Sequence, residues 1–152
     1  MAAGQSVLPR GAGTPDMPHF RVEYSRNLEE ALDLPELFER LTGVAAGTGV
    51  FPLAGIRCRA LPRDSYRVAD GHPDNGFVHV ELRVGAGRDV PTLRCAGEAV
   101  FAALNDHMAG LLARRPVALS FEIAEIHPDL NFKAGTIRDH MKARAETAEA
   151  AE

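Results

Sequence analysis

The sequence predicts an α+β domain in which two βαβ units lie side by side and form a four-stranded sheet with both helices on one face. Three observations predict it. The spacing of the apolar residues switches from every second position to helical spacing and back, and it does so twice along the chain. A polar connector around residues 64–76 separates the two rounds. A right-handed crossover inside each unit makes its two strands parallel, so two units joined edge to edge place their helices on the same side. One helical layer leaves the other face of the sheet bare, and association with copies of the chain in a closed symmetric assembly is the simplest cover.

The elements follow in order. "PHFRVEY" alternates Phe20, Val22 and Tyr24 with His19, Arg21 and Glu23, the pattern of a half-buried strand. "DLPELFERLTGVAAGTG" offers Asp33 as an N-cap, Pro35 in the first turn and Leu37, Leu41 and Val44 at helical spacing, with Gly47 and Gly49 ending the helix. "FPLAGIRCRALPR" reads as an irregular strand in which Gly55 marks a bulge or a close backbone approach. In the second round, "GFVHVELRVG" sets Val78, Val80, Leu82 and Val84 on one face and Phe77, His79, Glu81 and Arg83 on the other. A helix is expected from about Pro91 to Ala113, with Ala99, Ala102, Ala103 and Leu104 among its apolar positions, and "PVALSFEIAEI" closes the unit as a strand.

Composition divides the chain into three. Residues 1–16 are small and Gly/Pro-rich, too poor in large apolar side chains to repay the entropy of ordering, and are expected to be a disordered leader. Residues 17–133 form the domain. The tail, 134–152, is rich in Ala, Glu and Arg and lacks an apolar face from Lys142 on, so it is expected to be partly helical or disordered.

Several function classes lose support at this point. A net charge of −4 argues against a nucleic-acid binder. The sequence contains neither an apolar run of membrane-spanning length nor the apolar stretch of a secretory signal, so no membrane role and a cytoplasmic location are expected. Cys58 and Cys95 have no metal-ligand spacing and make no disulfide framework, which fits a reducing compartment. His72, His79, His107 and His127 lack paired ligand spacing, so no metal is expected. The basic residues are lopsided, with 15 Arg against 2 Lys. A GC-rich coding sequence accounts for that, and so does selection for bidentate recognition of carboxylates.

A duplicated βαβ pattern opening on Met17-Pro18 resembles the tautomerase superfamily, small proteins that use an amino-terminal proline as a base. More narrowly, "MPHFRVEYS", "TGVFPLAGIRCR", "VADGHPDNGFVHVELRVGAGR" and "LSFEIAEIHPDLNFK" are similar, in order, to the 5-carboxymethyl-2-hydroxymuconate Δ-isomerases. The resemblance implies a mixed sheet, a homotrimer and a small polycarboxylate substrate. It also implies a cofactor-independent isomerisation of a dienol to its conjugated 2-oxo isomer in homoprotocatechuate degradation. Carried over by residue, it makes Pro18 the base and places substrate-holding arginines at Arg57 in "AGIRCR" and Arg88 in "GAGR". Arg59 is an alternative to Arg57, and Phe132 and Lys133 in "LNFK" are either packing residues or contributors to a neighbouring subunit's pocket.

The chemistry suits these residue types. One base that removes a hydroxyl proton and returns it to a remote carbon completes the isomerisation, and it works best with a pKa near ambient pH. A free α-amine has a pKa of about 7.7–8.0 before its surroundings act on it. Arginines hold carboxylates bidentately and stabilise the negative charge of the dienolate. Behind Met17, however, the Pro18 nitrogen is an amide, whose delocalised lone pair is no base. Three readings follow: Met17 is the true start, a protease removes the leader, or the long form is a non-catalytic binding or structural protein. A tautomerase acting on a different keto acid is a further alternative.

Overall fold

The computed structural model describes residues 17–151, and the expected leader at 1–16 lies outside the described residues. Strand β1 (His19–Ser25) leads through a 3-10 turn (Arg26–Ala31) into helix α1 (Leu34–Gly47). A short 3-10 turn (Leu53–Gly55) precedes β2 (Arg57–Arg63). The second round consists of β3 (Gly76–Gly85), α2 (Val90–Arg114) and β4 (Val117–Ile126), and α3 (Ile137–Ala150) follows. The sheet order is β2-β1-β3-β4. Each unit contributes a parallel pair, β1 with β2 and β3 with β4, and the two units join through antiparallel β1 and β3. This is the mixed four-stranded sheet expected.

Local chemistry explains the element ends. The Asp33 carboxylate accepts from the Glu36 N–H (3.1 Å) at the start of α1, and Asp89 accepts from Thr92 N–H (2.8 Å) at the start of α2. Each satisfies a donor that the first helical turn leaves without a partner, and a proline occupies the first turn of each helix.

The core lies between the sheet and α1/α2. Phe20, Val22 and Tyr24 of β1 and Val78, Val80, Leu82 and Val84 of β3 are buried there, as their alternation predicts. From α1 the buried residues are Leu37, Leu41 and Ala45, whereas Val44 is only half-buried. In α2 the expectation needs correction: Ala99 and Ala102 face outward, and the buried stripe runs through Leu93, Ala96, Val100, Leu104, Met108 and Leu111. Small alanines scattered around a helix define no face, and the three- and four-residue spacing of the larger side chains decides it. The region before β2 also differs from expectation. Residues 53–55 form a 3-10 turn closed by Gly55 N–H to Pro52 O (3.0 Å), with no strand or bulge there.

On the opposite face β1 presents His19, Arg21 and Glu23, flanked by Arg57, Arg59 and Arg63 of β2. Ion pairs cross it, including Arg63 to Glu23 (3.0 Å) and Arg21 to Glu81 (4.0 Å). Helix α3 has no buried residue, and no helix among the described residues is long and apolar enough to cross a membrane.

Candidate active site

The register gathers the site at one end of the sheet. His19 pairs with Arg57 on one side and Arg83 on the other, and Gly85 pairs with Ile126. The starts of β1 and β2 and the ends of β3 and β4 therefore share an edge. Pro18, immediately before β1, is buried, and its carbonyl accepts from the Arg57 N–H (3.0 Å). The parallel ladder thus begins at the bond linking these two residues.

A cleft of about 490 Å³ opens there. Met17, His19, Arg57, Arg59 and Arg83 line its sheet side. Ile126 and residues 130–134, which follow β4, form the other wall. Met17, which is bonded to the Pro18 nitrogen, and His19, which follows Pro18, both line the cleft, whereas Pro18 itself is buried.

Guanidinium groups dominate the electrostatics of the cleft. Burial is the main cause, followed by the charges of Arg59, Arg57 and Arg83, that holds the His19 imidazole below its ordinary value of 6.5. A neutral imidazole set among three permanent cations leaves the cleft positive and suited to an anion with several carboxylates.

The structure brings together Pro18 and Arg57, with Arg59 two positions along the same strand on the same face. Arg88 lies at the same end of the sheet, after β3, but does not line this cleft. Gly87, at φ +121°, turns the chain ahead of it. The Arg88 guanidinium stacks over the Phe51 ring (5.2 Å to the centroid) and donates to the Val50 carbonyl (3.0 Å), and burial lowers its pKa. The packing role considered for Phe132 does not hold within the protomer, where its side chain is 89% exposed on the cleft wall. His19 and Arg83 were not singled out from the sequence. Alternation places both on the polar face, but their adjacency depends on a register that a single strand does not encode. Among the described residues, no group of three His, Cys, Asp or Glu side chains converges as metal ligands would.

A family model for 5-carboxymethyl-2-hydroxymuconate isomerase matches residues 18–141. The chain belongs to the 5-carboxymethyl-2-hydroxymuconate isomerase family. It is 48% identical to the 5-carboxymethyl-2-hydroxymuconate Δ-isomerase of Escherichia coli over 126 residues, which are 83% of this chain and 100% of that protein. A crystal structure of a 5-carboxymethyl-2-hydroxymuconate isomerase from Deinococcus radiodurans R1 superposes with a TM-score of 0.77 at 39% identity, covering 83% of this chain and 95% of that one. The fold extends further, to a macrophage migration inhibitory factor-like protein of Entamoeba histolytica (TM-score 0.56, 8% identity, 78% of this chain and 96% of that one). As a member of this isomerase family with a tautomerase-type fold, the chain is an isomerase.

Proposed function

We propose that the protein converts 5-carboxymethyl-2-hydroxymuconate to its conjugated 2-oxo isomer, a step of homoprotocatechuate degradation in the cytoplasm, with the amino-terminal nitrogen of Pro18 as the base. The reaction relocates one proton and shifts two double bonds, with no net oxidation. The Pro18 amine takes the proton of the 2-hydroxyl, the electron pair moves along the dienolate, and the same proton returns to the remote carbon. Arg57 holds a substrate carboxylate and stabilises the charge of the dienolate. Arg88 holds another carboxylate from the second side of the pocket. Its absence from the cleft of one protomer is accounted for by a homotrimer in which the pocket lies at a subunit boundary.

The observation that carries this reading is the arginine-lined cleft whose lining includes Met17 and His19, the two neighbours of Pro18 in the chain. The family model's start at residue 18 supports a functional chain that begins there. Ultraviolet absorbance following 5-carboxymethyl-2-hydroxymuconate and the simpler 2-hydroxymuconate tests it. Turnover that favours the carboxymethyl substrate and is abolished by Pro18→Ala supports the proposal. Equal turnover of both dienols would point to a tautomerase for a smaller keto acid. No turnover by a chain beginning at Pro18 would leave a binding protein.

A further inference from the structure

The mechanism above gives His19 no part, although its ring is the hub of the cationic cluster. Nδ1 lies 3.0 Å from Arg59 Nη1, and Nε2 lies 3.3 Å from Arg57 Nη1. A guanidinium only donates, and a neutral imidazole has one N–H and one lone pair, so the ring accepts from one of these neighbours and not both. Protonation would remove the remaining acceptor and set a fourth cation beside Arg57, Arg59 and Arg83, which opposes it. The shorter contact takes the lone pair, making Nδ1 the acceptor for Arg59. Nε2 then carries the hydrogen and faces the Arg57 guanidinium, donor against donor. An anionic oxygen in reach of both satisfies that pair, and both residues line the cleft.

We propose that His19 is a substrate-binding donor, whose Nε2–H joins Arg57 Nη1 on one anionic oxygen of the substrate while Arg59 holds the ring through Nδ1. This rests on the reading of the cleft as the site of a polycarboxylate. Arg59 becomes a positioning residue acting through the imidazole.

Two substitutions separate the donor from the hold. The amide of His19→Gln reaches the Nε2 position and keeps a donor there, whereas that of His19→Asn stops near Nδ1 and keeps only the acceptor for Arg59. Chains beginning at Pro18 are compared by KM and kcat on 2-hydroxymuconate and by calorimetric Kd for adipate, a dicarboxylate that does not tautomerise. Losing one hydrogen bond to a charged group predicts about a tenfold rise in KM and Kd for His19→Asn, with His19→Gln within about threefold of the parent. In the parent, ¹⁵N NMR of the imidazole should show a protonated Nε2 and an accepting Nδ1, with the Nε2 resonance moving on addition of adipate. His19→Asn binding as well as the parent, or a ring protonated at Nδ1, overturns the proposal, and the NMR arm needs no variant to fold. Adipate binding that separates the two variants without any turnover would keep the donor and sink the isomerase. Turnover and binding indifferent to residue 19 would do the reverse.

Discussion

Pro18 and Arg57 are joined by a backbone hydrogen bond (3.0 Å), so the proposed base and the proposed anion holder share one corner of the sheet. Replacing Arg57 by Gln keeps the backbone bond and removes the charge, and the loss of a charged hydrogen bond predicts about a tenfold or greater fall in kcat/KM, read from steady-state kinetics. His19 makes a separate prediction about stability. Its folded pKa lies below the unfolded 6.5, through burial and the arginines, so the folded state binds fewer protons. Its contribution is therefore complete above pH 6.5 and is lost as the pH falls from there through the lower folded value. Urea unfolding of parent and His19→Gln across this range should give curves that converge as the pH drops, and parallel curves would contradict the assignment. The family resemblance of "AGIRCR" singled out Arg57, with Arg59 as its alternative, and both line the cleft. The grouping of His19, Arg59 and Arg83 was not legible, because it comes from pairing β1 with strands 38 and 64 residues further along: His19 sits opposite Arg57 and Arg83.

At the scale of elements, caps and stripes carry the fold. The Asp33 carboxylate holds the first turn of α1, and Asp33→Ala should destabilise the protein by about 1 kcal/mol in chemical unfolding. Leu104, fully buried in the α2 stripe, should cost about 2–5 kcal/mol as Leu104→Ala, whereas Ala102→Ser on the outer side should cost little. Equal effects would mean that the helix face is misassigned. Strand β3 was readable because Val78 to Val84 alternate without a break, and α1 because its cap and apolar spacing agree. The face of α2 was obscured by its many alanines, and the turn at residues 53–55 by apolar residues that fit a strand equally well.

At the scale of the molecule, one face of the sheet is packed by α1 and α2 while the other carries ion pairs, and Leu130 and Phe132 stand 72% and 89% exposed beside the cleft. In the proposed trimer an interface between copies would cover side chains of that size. Sedimentation of the chain beginning at Pro18 should give three times the protomer mass, and Phe132→Asp should shift it toward the protomer. A fully active monomer would rule out a pocket shared between subunits. The two-unit architecture was legible because each βαβ unit fixes its own handedness, whereas the assembly is a property of surfaces that no single chain pattern spells out. The most direct test of the whole account compares isomerisation of 5-carboxymethyl-2-hydroxymuconate by two preparations, one verified by intact mass to begin at Pro18 and one retaining residues 1–17. Turnover is expected only from the first, since only there is the nitrogen an amine. Equal turnover by the longer chain would show that Pro18 is not the base.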